Sequence, residues 1–279
     1  MDTLELGVGR YRYSAIADGP PDGELVLLLH GFPETSFEWR HQLATLGAAG
    51  YRAVAPDQRG YARHARPGEL DEYRVEQLVA DAVGFADALG ADRFHLVGHD
   101  WGGFIAWYTA AAHPDRLRTL TVVSTPHPVP FRGAMRSGTD QRERSSYMQW
   151  FRTPEAEATF LADDAALLRA AYAEHPPDAA AEYLRVFTAD GGAALTGGLA
   201  WYRANDFRAP DGPITVPTLY VWSTGDVALG RTAAEGTAAE VSGPYRFEVL
   251  DGVSHWIPEE AAEALDALLL DHLASVPSA

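Results

Sequence analysis

The apolar positions of this chain fall into short continuous runs separated by longer stretches at helical spacing. Leu25 to Leu29, Tyr51 to Ala55, Phe94 to Val97, Leu117 to Val123, Pro217 to Trp222 and Tyr245 to Leu250 are runs of four to seven residues bounded by turn residues. Such runs predict strands, several of them buried on both faces. Between them, residues 37–49 predict a crossover helix. Residues 75–89 carry apolar side chains at 75, 78, 79, 82, 83, 85, 86 and 89, a helix with a wide buried face. Strands alternating with helices of this length predict parallel βαβ units, hence an α/β fold with a mostly parallel twisted sheet flanked by helices. Residues 4–17 alternate in part and predict a hairpin or meander at a sheet edge, followed by a turn cluster at residues 18–23. A last helix is expected from near Pro258, a favoured first-turn proline, to about Leu273.

The pattern changes after Pro126-His127-Pro128. Residues 141–201 read as helices only, with joints at Thr153-Pro154-Glu155, Pro176-Pro177 and Gly191-Gly192. The chain therefore divides into a first part of the core, 1–125, an inserted helical cap, 126–212, and a second part of the core, 213–279. A length of 279 residues with 47% hydrophobic content suits one large domain with such an insertion as well as it suits two domains.

One stretch carries the chemistry. Phe94 to Val97 runs into Gly98-His99-Asp100-Trp101-Gly102, and Phe104 to Ala112 follows as a buried helix. Small residues two before and two after a central residue are what a sharp strand-to-helix turn demands, with the central side chain pushed out of the sheet as a nucleophile. The usual occupant is Ser; here it is Asp100. No Gly-x-Ser-x-Gly occurs, which argues against an ordinary esterase or lipase. In parallel sheets ligands bind beyond the C-terminal strand ends. The His30 loop, the Asp57 loop, Asp100 and Ser124 all belong there. Gly7 and Gly9 are no dinucleotide fingerprint, because the third Gly and the following helix are missing.

Composition narrows the picture further. The formal net charge is -17, and every one of the 22 basic residues is Arg. A surface that negative disfavours nucleic acid and membrane surfaces as partners. With no Cys there is no disulfide, thiol nucleophile or zinc-thiolate site. No signal-peptide pattern opens the chain, and no run approaches the ~20 apolar residues that span a bilayer. A soluble cytoplasmic protein is the expectation, with room for a homodimer.

Together, His30-Gly31-Phe32-Pro33-Glu34, the turn at Asp100, the late Asp226 and His255-Trp256 resemble the α/β-hydrolase superfamily in its epoxide hydrolase and haloalkane dehalogenase branch. Pro56-Asp57-Gln58-Arg59-Gly60-Tyr61 and Glu38-Trp39-Arg40-His41-Gln42 look more like the epoxide hydrolase side. The resemblance runs from about Leu25 to the C-terminus.

It implies a triad. Asp100 would attack an sp3 carbon and form a covalent alkyl ester. His255 would activate water against that ester, and Asp226 would orient His255 and stabilise its charged form. His30 and His99 are rivals for the base but abut turn glycines and are expected to shape their loops. Asp251 competes weakly with Asp226. Phe32 and Trp101 would supply an oxyanion hole through their backbone N–H groups. In the helical insert, Tyr202 matches one of two tyrosines that hold the epoxide oxygen in the family. The other position falls on Trp150, an indole that can donate a hydrogen bond but not give up a proton usefully. Two readings stay open: Tyr202 is the acid with Trp150 as helper, or Trp101 and Trp150 hold a departing halide. The resemblance implies no metal or organic cofactor and a small substrate, apolar or aromatic. Epoxide opening to a diol leads. Haloalkane dehalogenation on the same triad is the alternative, and a non-hydrolytic binding or cyclase scaffold is the second.

Overall fold

The computed structural model describes residues 1–137 and 140–277. Eight strands form one sheet: β1 (Asp2–Val8), β2 (Tyr11–Asp18), β3 (Leu25–Leu29), β4 (Arg52–Pro56), β5 (Phe94–His99), β6 (Leu117–Val123), β7 (Thr218–Ser223) and β8 (Tyr245–Leu250). Their spatial order is β1-β2-β4-β3-β5-β6-β7-β8. The β1–β2 hairpin and the β2–β4 pair are antiparallel; every pairing from β4 to β8 is parallel. This is the mostly parallel α/β sheet that the apolar runs predict, and it agrees with the fold that the resemblance implies.

Alternation along the buried strands explains how the sheet is covered twice. Leu27 and Leu29 of β3 face one apolar cluster, whereas Val26 and Leu28 face another. Successive strand side chains point to opposite faces, so a run of five apolar residues needs helices on both sides. The first cluster is closed by α2 (Val75–Ala88) and α3 (Trp101–Ala112), through Leu78, Phe85 and Trp107. The second is closed by α1 (Arg40–Ala48) and the C-terminal helix, through Leu43, Leu46, Leu265 and Leu269.

Between β6 and β7 the described residues form helices only: α4 (Pro128–Arg136), α5 (Gln141–Arg144), α6 (Tyr147–Phe151), α7 (Ala156–Ala171), α8 (Pro177–Thr188) and α9 (Ala193–Ala204), with one 3-10 turn before α9. After β7 come α10 (Arg231–Gly236), α11 (Ile257–Glu260) and α12 (Ala262–Ala274).

Two helices differ from expectation. The segment expected as one helix from 37 starts as a 3-10 turn, Ser36–Trp39, where the Thr35 hydroxyl accepts from Phe37 N; the α-helix begins at Arg40. The expected C-terminal helix is broken at Ala261, whose φ of -125° and ψ of 38° separate α11 from α12.

Candidate active site

Asp100 is the residue at which β5 turns into α3. Its φ of 48° and ψ of -115° lie outside the regions open to ordinary residues. The glycines around it make the turn sterically feasible. A Cβ on Gly98 would lie 2.3 Å from the Gly102 carbonyl oxygen, and one on Gly102 would lie 2.0 Å from that of Leu29. The turn thus presses against β3, and Asp100 stands where the β3 loop approaches.

That approach matters chemically. Phe32 N donates to Asp100 Oδ1 at 2.9 Å. Asp100 Oδ2 faces His255 Nε2 at 3.4 Å. On the other side of the imidazole, His255 Nδ1 donates to Asp226 Oδ2 at 2.8 Å. Asp226 Oδ1 in turn accepts from Ala228 N and Leu229 N, both at 2.8 Å, so this fully buried carboxylate is held at both oxygens. Burial works against a charge on His255, but Asp226 and Asp100 outweigh it and hold the imidazole well above its ordinary range. The imidazole thus lies between two carboxylates that favour its charged form. Trp101 occupies the first position of α3, next to Asp100, and its ring is buried against Tyr202 at 4.9 Å between centroids.

The structure brings together Asp100, His255, Asp226, Phe32, Trp101 and Tyr202. Two adjoining cavities, with volumes of about 210 Å³ and 40 Å³, both reach Asp100, Tyr147 and Tyr202. His255 lines the larger and Trp101 the smaller. Trp150 is the exception. Its ring packs at a tilt against Phe151 and Phe160, with centroids at 5.2 and 5.0 Å, and lines neither cavity. The expected juxtaposition of Trp101 and Trp150 is therefore not formed.

Sequence reasoning passed over Tyr147, one turn earlier on the same helix. Burial pushes both tyrosine hydroxyls well up, and the negative charge of Asp100 adds to it at each. A hydrogen bond with Tyr202 works the other way at Tyr147. The signal available was the segment Tyr147-Met148-Gln149-Trp150-Phe151 itself, in which either aromatic could face inward. Which one does so is decided by the packing of α6 on Phe160 and Tyr202.

The remaining histidines near the site hold loops. His30 Nδ1 donates to Gly31 O at 3.0 Å, and its Nε2 accepts from Gln58 N at 3.1 Å; burial pushes its pKa down. His99 Nε2 donates to the His255 carbonyl at 3.0 Å, and Ser124 Oγ donates to the same oxygen at 2.9 Å. Asp251 is exposed and accepts from Thr224 Oγ1, away from the imidazole.

A second group was not legible from spacing. Glu34, Glu38 and His99 are fully buried, with donor atoms within 4.8 Å of one another. His175 of the helical insert joins them at 3.3 Å from Glu34 Oε1. Burial alone would push both carboxyls up. At Glu34 the hydrogen bonds from His175, His99 and Glu38 overcome burial and hold it well below the ordinary range. Glu38, beside that charge, rises well above it. The network ties the β3 loop, the insert and the His255 carbonyl into one polar lattice.

A strained strand-to-helix turn carrying Asp100, a histidine after the last strand and an aspartate after β7 meet at the strand ends of this sheet. Residues 24–262 match the family described as alpha/beta hydrolase fold. The chain belongs to that family, as an epoxide hydrolase-like enzyme. It is 33% identical to epoxide hydrolase A of Mycobacterium tuberculosis over 94% of each chain. It is 32% identical to mouse epoxide hydrolase 4, covering 92% of this chain and 75% of that one. The crystal structure of epoxide hydrolase A from Mycobacterium thermoresistibile superposes with a TM-score of 0.85 at 29% identity, covering 100% of this chain and 99% of that one. Among the described residues no helix is long and apolar enough to cross a membrane.

Proposed function

We propose that this enzyme opens epoxides to diols through a covalent ester on Asp100. The observation that carries the reading is the pairing of a carboxylate at the elbow with a buried tyrosine, Tyr202, and a half-buried one, Tyr147, across the same cavities. Asp100 Oδ2 attacks a ring carbon and the carbon–oxygen bond of the epoxide breaks. The departing oxygen takes a proton from Tyr202 or Tyr147. A hydroxyl whose pKa is pushed this high stays protonated at rest, so it donates a hydrogen bond to the epoxide and releases its proton only to a base as strong as an alkoxide.

Ester formation then switches the base. Alkylation removes the charge of Asp100, one of the two that hold the imidazolium. His255 then gives up its proton, which returns through solvent to the tyrosinate left by ring opening, and the neutral ring takes a proton from water as that water attacks the Asp100 Cγ. Negative charge builds on Oδ1, the oxygen to which Phe32 N already donates; Trp101 N completes the pair. Collapse releases the diol, with the water oxygen retained in Asp100. Asp226 keeps the imidazole oriented and charged at the right step. The helices of the insert act as a cap that supplies the tyrosines and the apolar walls, Phe151, Phe160 and Phe207, suited to an apolar or aromatic substrate.

Halide displacement on the same triad is disfavoured by the position of Trp150, which leaves Trp101 without an indole partner at the cavity. A panel of epoxides and alkyl halides, scored for diol against halide release, tests the reading: diol without halide supports it, and halide release from the alkyl halides with no diol from any epoxide overturns it.

A further inference from the structure

A cavity of about 260 Å³ adjoins the smaller of the two cavities that reach Asp100, and four of its lining residues are Arg132, Arg136, Arg142 and Arg152. Asp206 is the single carboxylate of that lining. The concentration of charge is not a general property of the surface. Of the 22 arginines, 16 lie within 4.0 Å of a carboxylate among the described residues. Four of the six that do not are the four in this cavity; the other two, Arg52 and Arg93, donate to backbone carbonyls. The chain has 39 acidic residues with which to neutralise them.

Arg132 is half-buried, and Arg136, Arg142 and Arg152 are exposed. Arg132 and Arg136 sit one turn apart on α4, a spacing at which like charges repel, and neither has a hydrogen-bond or ion-pair partner among the described residues. Arg142 donates to the Met135 carbonyl at 3.2 Å and Arg152 to the Asn205 carbonyl at 2.6 Å. These contacts orient the guanidinium groups without neutralising them. Phe131, Met148 and Phe207 line both this cavity and the one that contains Asp100, so the two meet across an apolar wall.

We propose that the substrate is an epoxide bearing an oxyanion, a carboxylate or a phosphate monoester, at the far end of an apolar body, with the oxyanion seated among these four arginines. The proposal rests on the epoxide-opening reading and names the substrate class of that site. Guanidinium forks match the oxygens of either anion. On a chain with a net charge of -17 an anion is repelled everywhere except where cations are gathered, so the patch would also guide it to the mouth of the site.

The test uses one terminal epoxide in three forms, carboxylate, phosphate monoester and methyl ester, with the wild-type enzyme and R132Q/R136Q. At low ionic strength the wild type should show a kcat/KM for one of the oxyanions about tenfold above the methyl ester, an advantage that shrinks in salt. R132Q/R136Q should lose most of that advantage and keep its rate on the methyl ester. The anion with the larger ratio names the source of the oxyanion. Equal kcat/KM for all three forms in the wild type, or an equal loss on all three in the variant, overturns the proposal. Calorimetric titration with the saturated, epoxide-free carboxylate and phosphate separates the two readings. Tighter binding of either to the wild type than to R132Q/R136Q supports the oxyanion site even if no epoxide is opened. Equal binding overturns the oxyanion site even if epoxide opening stands.

Discussion

The strand-end loops and the helical insert contribute to one site but are built on different rules. At the strand ends, backbone geometry places each side chain. Asp100 sits at a positive φ, the β3 loop delivers Phe32 N to it, and the turns after β7 and β8 bring Asp226 and His255 within hydrogen-bond reach of each other. In the insert, each position is set by which face of a short helix packs inward. Tyr147 and Trp150 are three residues apart on α6, yet one lines the cavities and the other packs against Phe160. In the proposed mechanism the core thus sets the reaction type, and the insert sets the handling of the leaving oxygen and the shape of the substrate.

Substitutions can break this division. Asp100→Ala should lower diol formation by at least about 10³-fold, as loss of a nucleophile does, without changing the fold by circular dichroism. His255→Gln should slow ester hydrolysis by about 10² to 10⁴ and accumulate the alkylated enzyme, visible as a mass increase equal to that of the substrate; a variant with no adduct and rapid product release would move the base elsewhere. Tyr202→Phe and Tyr147→Phe should each cost about 10²-fold in the rate of alkylation. Trp150→Phe should stay within about threefold, since it packs and does not face the substrate. A larger loss at Trp150 than at Tyr147 would erase the distinction drawn on α6.

The smallest effect concerns stability. The pKa of His255 is raised in the folded chain, so the stabilisation it provides is full below the unfolded value of about 6.5 and is lost as pH rises through the folded value. Asp226→Asn removes the largest source of that rise. The Tm difference between the wild type and Asp226→Asn should be widest on the acid side of neutrality and narrow as pH increases. A gap that widens with pH would contradict the charged resting state.

The sheet and the helices between β6 and β7 were legible because they depend on local signals, apolar runs for β3, β5 and β7 and glycines at 98 and 102 for the turn at Asp100; the meeting of Asp100, Asp226 and His255 was implied by the family resemblance. What stayed hidden depends on packing between distant segments. The buried set of Glu34, Glu38, His99 and His175 spans 141 positions between Glu34 and His175, with no spacing rule to announce it. The choice of Tyr147 over Trp150 depends on what α6 packs against. The cavity whose arginines lack a carboxylate partner among the described residues required knowing which of the other cations had found carboxylates.

Single turnover in water enriched in heavy oxygen, followed by mass analysis of the peptide that contains Asp100, tests the central claim most directly. The account predicts that the Asp100 carboxylate gains a solvent oxygen while the first-formed diol carries none. A labelled diol with an unlabelled Asp100 would show that water attacks the substrate itself and that no ester forms on this residue.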